Sequence, residues 1–333
     1  MKKGLFLIAG FTSAMFLSQV GISTPNPTET LDVNGIERVR ELPKHNSPNA
    51  IFTKPDGTKS DTKNQTFIAT KMVVADANGV LGYADWNPNI IPQPPKKRVT
   101  IGYWAGLWDG NLYALGGTGF PAFNSQLKSL VNYGPAGIYN KVGGIDFQQF
   151  QTEELDILTG TQLKMVVDVF CIGVKYNEDL SPANVAKIKD FVNLGGVAIV
   201  LLENIRNTPA LQGFGGTGTV GAASSYNSYP ISGTAGTTGV FGSVSNAVLI
   251  TGAQTGALVS NTQLPSGAQL LARHESSTSD KAGIWITGTG GRAIFLWDEG
   301  VFRNSSVSGM IIDTDQEKYL HNLIAYALDK LNL

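Results

Sequence analysis

Two apolar runs flank a helix-spaced stretch between Met165 and Asn204. Met165 to Gly173 is apolar except for Asp168, and Val197 to Leu202 is wholly apolar. Between them, Ser181-Pro182 is a helix start, because serine accepts from free N–H groups and proline fits the first turn. Val185, Ile188, Phe191, Val192 and Leu194 then recur at helical spacing, and Gly195-Gly196 closes the helix. A strand, a helix and a strand buried on both faces predict a right-handed βαβ unit in a parallel sheet.

The same periodicities predict further elements on either side. Arg98–Trp104 and Ile145–Phe150 read as strands, Pro121–Tyr133 as a helix and Thr152–Leu158 as a short helix. Ala268–His274, Ala282–Thr287 and Gly291–Trp297 read as strands, and Gln316–Leu331 as a closing helix with an apolar side that includes Tyr319, Leu320, Leu323 and Ile324. Residues 213–256 are rich in Gly, Ser and Thr, which predicts irregular loop and β-hairpins. From residue 98 to 333 the expectation is an α/β, flavodoxin-like three-layer sandwich with a mainly parallel sheet.

The first 97 residues have a different texture. Lys2 and Lys3 precede an apolar stretch, Gly4 to Leu17, which reads as a signal peptide over residues 1–18. Export to the periplasm, the outer-membrane surface or the medium is therefore expected. Residues 19–85 are turn-rich, with hairpin signals at Asp32-Val33-Asn34-Gly35 and Asp76-Ala77-Asn78-Gly79. So few apolar residues make a poor monomeric core, which implies self-association or docking. Four prolines in residues 86–97 predict an extended linker.

Composition narrows function mainly by exclusion. Hydrophobic residues are 42% of 333 and charged ones 15%, with a net charge of −1. Nothing concentrates enough basic charge to predict a nucleic-acid partner. One cysteine and three histidines, scattered along the chain, form no zinc set. No metal site and no cofactor is expected. Cys171 reads as a buried thiol, His274 as a strand-end residue and His321 as a partly exposed helix residue. Gly117-Thr118-Gly119 lacks the spacing of a phosphate loop.

Two resemblances follow from particular residues. VGISTPNPTETLDVNGIERVRELP (residues 20–43), with VVADANGVLGY (residues 73–83) after it, resembles the VGIGTxxPxxxLDVxG segment of tail-fibre-like and surface proteins among exported Bacteroidetes proteins. That resemblance implies a short β-rich stalk, often trimeric, and no catalysis. Residues 168–204, then GRAIFLWDEGVFRN (residues 291–304), then QEKYLHNLIAYALDKL (residues 316–331) resemble the class I glutamine-amidotransferase-like superfamily. Its catalytic members keep a Cys in a strained turn after a central strand, with a His base and a carboxylate. Here that turn reads Glu203-Asn204-Ile205-Arg206, without Cys, Ser or Thr. The resemblance thus implies the fold without its reaction.

Ligands of parallel α/β sheets bind beyond the carboxyl ends of the strands. That position collects Trp104, Trp108, Asp109, Glu203, Asn204, Asp298 and Glu299 as a candidate cleft. Aromatic faces beside carboxylates and an amide suit a glycan; a surface protein is the other partner considered. A non-catalytic binding or assembly protein is the expectation. Two readings stand beside it: a glycan hydrolase using Glu203 with Asp298 or Glu299, and a purely structural appendage component.

Overall fold

The computed structural model describes residues 20–22, 31–33, 43, 46–54, 56–69, 71–75, 80–85, 96–224, 227–245, 249–253 and 255–331. The expected signal peptide and the turn at residues 76–79 lie outside them, as do most of the linker and most of the 20–43 motif. Contacts divide the chain into two units, Met1–Ile91 and Pro92–Leu333. No helix among the described residues is long and apolar enough to cross a membrane.

Among its described residues the first unit has three separate strand pairs. Val20–Ile22 pairs in parallel with Leu31–Val33. Ser47–Asn49 pairs antiparallel with Gln65–Phe67, and Lys71–Ala75 with Leu81–Asp85. The Asp56 carboxylate accepts from the Thr58 amide and hydroxyl, and Gly57 takes φ +85°, so this segment is a turn. Among the side chains described in this unit no hydrophobic one is buried; Val73 is 77% exposed and Tyr83 65%.

The second unit runs β1 (Val99–Trp104), α1 (Pro121–Lys128), β2 (Ile145–Gln149), α2 (Thr152–Ile157), α3 (Gly160–Val166), β3 (Val169–Ile172) and α4 (Pro182–Asn193). It continues with β4 (Val197–Leu201), α5 (Thr208–Gly213), β5 (Ser228–Pro230), β6 (Gln269–His274), β7 (Ala282–Thr287), β8 (Ala293–Leu296) and α6 (Asp315–Asp329). One eight-stranded sheet has the order β2-β1-β3-β4-β8-β7-β6-β5. The four pairings from β2 to β8 are parallel and the three from β8 to β5 antiparallel. The fold is mixed α/β with a large, mostly parallel sheet.

Both faces of this sheet are buried, as the unbroken apolar strands require. On β4, Ile199 and Leu201 join the core that includes Phe123 and Leu127 of α1 and Tyr319 and Leu323 of α6. Ala198 and Val200 join a second core with Leu163, Val185, Ile188, Phe191 and Ala210 from α3, α4 and α5. The Ser181 hydroxyl accepts from the Asn184 amide at 3.2 Å, Pro182 opens α4, and Gly195 leaves it at φ +92°.

Several elements depart from expectation. Helix α1 stops at Lys128, not Tyr133, because the Asn132 side chain donates to the Gln126 carbonyl and the chain turns away. Residues 160–166 form a helix, α3, that the periodicity did not separate from the strand after it. The described residues of the Gly/Ser/Thr-rich stretch pair at long range: Gly221–Ser224 pairs with the distant Thr255–Leu258, and β5 extends the main sheet beside β6.

Candidate functional site

Strand register brings the central acidic residues together. On the adjacent parallel strands β4 and β8, Leu201 and Leu296 are register partners and face the same core. Side chains alternate along extended chain, so two residues further on Glu203 and Asp298 emerge side by side on that face. Asp298 is still extended (φ −151°, ψ 130°). Its Oδ1 accepts from the Gly300 amide at 2.6 Å, which caps a short turn, and its Oδ2 accepts from the Ala253 amide at 3.0 Å.

Glu299 follows directly and turns back into the cluster. The Arg303 guanidinium, four residues on, grips both its oxygens, with Nε donating to Oε2 at 3.0 Å and Nη2 to Oε1. Arg303 in turn lies 4.2 Å over the Tyr113 ring. The Thr255 hydroxyl donates to Glu203 Oε1 at 2.5 Å. Each of the three carboxylates offers an oxygen within 4.8 Å of the others. Glu203, Asp298 and Glu299 are 3%, 0% and 1% exposed. Glu203 Oε2 has no hydrogen-bond partner among the described residues.

Burial of three like charges moves all three carboxyls upward. Burial, followed by the Asp298 charge, pushes Glu203 up to about 8 against the Thr255 hydrogen bond. Burial pushes Glu299 up to about 7, with Arg303 pulling the other way. Asp298 rises to about 6 through burial, opposed by the Gly300 and Ala253 amides.

The remaining expected site residues do not join this cluster. Trp104 is a core residue, 2% exposed on the opposite sheet face, with its Nε1 donating to the Thr152 hydroxyl at 3.0 Å. Alternation places it there, since Tyr103 takes the other face. Asn204 stands at φ +46° in the turn Glu203–Arg206, which the Arg206 amide closes on the Glu203 carbonyl at 2.7 Å. Asp109 (φ +50°) and Gly110 (φ +77°) are the exposed tip of a hairpin that pairs Leu107–Trp108 with Asn111–Leu112. Trp108 on that hairpin packs edge-on against Tyr176, with ring centres 5.2 Å apart. The candidate cleft does not form as one site: Glu203, Asp298 and Glu299 converge in a buried centre, and Trp104, Trp108, Asp109 and Asn204 do not join them.

The histidines also take other places. His321, expected to be partly exposed, is fully buried. Its Nδ1 meets the Tyr133 hydroxyl at 2.8 Å and its Nε2 the Gln126 Oε1 at 2.8 Å, while Gln126 Nε2 donates to Glu317 at 3.0 Å. An acceptor at Gln126 Oε1 puts the imidazole proton on Nε2, and burial pushes the ring down to about 3. His274 is buried with its ring edge-on to Trp297, and burial lowers it to about 4. Cys171 is buried as expected, its thiol pushed up to about 12 by burial. Gly117 and Gly119 are close-packing positions; a Cβ on Gly117 would sit 2.3 Å from the Leu112 carbonyl oxygen.

The sequence reading missed Arg303, Thr255 and Tyr176. Glu299 and Arg303 have the four-residue spacing of a helical-turn ion pair, so one signal was present. Thr255 and Tyr176 carry none.

The chain matches no protein-family model and no curated protein. Among solved structures it is similar to one titled "mmIFT52 N-terminal domain", with 11% sequence identity and a TM-score of 0.45. The match covers 69% of this chain and 100% of that one. A likeness this distant carries no inference about function.

Proposed function

We propose that this chain is an exported, non-catalytic binding protein that joins an assembly at the cell surface through the carboxyl edge of its sheet. One observation carries the reading. Leu107, Tyr176 and Ile205 are 67%, 58% and 51% exposed, and they stand in the loops that follow β1, β3 and β4, three neighbouring strands. Trp108 adds its ring against Tyr176. Ion pairs Lys175–Glu178 at 2.5 Å and Arg206–Asp179 at 3.8 Å belong to the same loops. Apolar side chains among charged ones match the composition of protein interfaces. The aliphatic Leu107 and Ile205 favour a protein partner over a glycan, for which flat rings and hydrogen-bonding groups would suffice.

Two further features support absence of chemistry. The turn after the central strand keeps a left-handed residue, as a nucleophile elbow does, but the residue is Asn204. The carboxylates behind it are closed to any polymer. The parallel strands, numbered by order of appearance, lie 2-1-3-4-5 across the sheet, which supports the flavodoxin-like, amidotransferase-like layout. Export rests on the residue 1–18 pattern, and the exposure of Val73, Leu81 and Tyr83 in the first unit supports self-association there.

The test is the size of the native complex. Wild-type chain in extracts of its own cells should elute in a larger assembly, and the Leu107→Ser/Tyr176→Ala chain should elute free of it with unchanged melting. Co-elution of both chains, or elution of the wild type alone, contradicts the proposal.

A further inference from the structure

We propose that Glu203, Asp298 and Glu299 hold a hard divalent cation, calcium in preference to magnesium, at the carboxyl ends of β4 and β8. The proposal is independent of the partner surface. It begins from the geometry: three carboxylate oxygens lie within 4.8 Å of one another. Oxygens that share one calcium at about 2.3–2.6 Å are separated by at most about 5 Å, so one ion can reach all three.

A second observation points to a ligand. Glu203 is 3% exposed, yet its Oε2 has no hydrogen-bond partner among the described residues. A buried carboxylate oxygen left unsatisfied is costly, and here the other two carboxylates are close by. Every other carboxylate oxygen in the cluster is held by the protein itself: Oε1 of Glu203 by the Thr255 hydroxyl, Oδ1 and Oδ2 of Asp298 by backbone amides, and both Glu299 oxygens by Arg303. These contacts fix the ligands' orientation and leave lone pairs free, since each carboxylate oxygen can accept more than once.

Charge balance agrees. With all three carboxyls ionised as ligands, the Arg303 guanidinium leaves two negative charges in a closed site, which one divalent cation neutralises while the released protons leave to solvent. The donor set is oxygen only, which suits hard cations over zinc or copper. Closure decides between hard cations. Magnesium dehydrates reluctantly and keeps several waters, whereas calcium accepts a flexible set of protein oxygens.

The surrounding backbone is shaped to the cluster. A Cβ on Gly252 would lie 2.4 Å from Asp298 Oδ2, and one on Gly256 3.2 Å from it. A Cβ on Gly300 would lie 2.3 Å from the Ala253 nitrogen that donates to Asp298. Small residues here let the covering segment close over the carboxylates.

The test uses the full chain, stripped with EDTA and exchanged into metal-free buffer. Calcium chloride, magnesium chloride and manganese chloride are titrated separately, with calorimetric heat and melting temperature as readouts. The expected result is one calcium per chain with a saturable rise in melting temperature, and magnesium at least tenfold weaker. Glu203→Gln, which keeps the acceptor for Thr255, and Asp298→Asn should each weaken calcium at least tenfold while still melting cooperatively in EDTA. Absence of heat and of any shift with all three metals overturns the proposal, as does an equal calcium response in both variants. Magnesium binding tighter than calcium overturns the choice of ion.

Discussion

The Asn207 side-chain amide donates to the Leu201 carbonyl at 2.7 Å, and the same nitrogen donates to the Gly173 carbonyl at 3.0 Å. One buried side chain therefore ties together the carboxyl ends of β3 and β4, from which Tyr176 and Glu203 are carried. Asn207 also stands at φ +66°, where asparagine is tolerated better than most residues. Asn207→Ala should cost about 2–4 kcal/mol, from two orphaned carbonyls and a left-handed alanine. Asn207→Asp should cost more, because it sets an acceptor against two acceptors. Urea unfolding of both variants measures this, and an Asp variant as stable as wild type refutes it.

Acid should act on the second unit through His321, against Glu203, Asp298 and Glu299, whose raised carboxyls take up protons first in the folded state and so favour folding as pH falls. The folded pKa of His321, about 3, lies below the ordinary 6.5, so the unfolded state binds more protons between those values. The His321 contribution is then complete above pH about 6.5 and falls as pH drops toward about 3, by at most about 1.4 kcal/mol per pH unit. His274, lowered to about 4, acts in the same direction. Glu317, which burial pushes up but the Thr314, Ser308 and Asp313 amides and Gln126 together hold below the usual range, adds to the loss at still lower pH. The stability of His321→Gln relative to wild type should therefore rise as pH drops from 6 to 4.5, whatever its absolute stability, because the carboxyl cluster acts equally on both.

Gly252→Ala should be destabilising although Gly252 carries no unusual φ. The added methyl meets Asp298 Oδ2 at 2.4 Å and forces either the segment or the carboxylate to move. Overpacking of this kind costs about 1–3 kcal/mol. Gly267→Ala, at φ +75° with nothing within 4 Å, should cost about 1 kcal/mol from backbone strain alone. Denaturant midpoints of the two variants would separate the causes.

Leu107→Ser and Ile205→Ser should leave stability within about 0.5 kcal/mol of wild type, because both side chains project into solvent. A large loss of melting temperature for either would show that the residue packs against something within the chain.

The parts of this fold that were legible in the sequence are those set by short-range periodicity. The VAIVL run of β4, the Ser181-Pro182 start and the closing helix all reappear within a residue or two. Glu203 and Asp298 were correctly placed at strand ends, but their closure was not legible. The Ala253 amide and the Thr255 hydroxyl that meet them come from a Gly- and Thr-rich stretch without hydrophobic period. His321 was misplaced for a similar reason. Its neighbour Asn322 donates to the Gly236 and Gly242 carbonyls, so loop backbone covers a side of α6 that periodicity assigns to solvent. Trp104 was drawn into the site by its position at a strand end, although strand alternation turns it to the other face.

Site-specific photo-crosslinking in the native cells tests the binding role most directly. A photoreactive residue at Leu107, Tyr176 or Ile205 should yield one shared protein adduct. The same residue at Met165, which is 79% exposed and precedes β3 at the opposite sheet edge, should yield none. No adduct from the three positions, the same adduct from Met165, or a carbohydrate in place of a protein would contradict the assignment of the carboxyl edge as a protein-binding face.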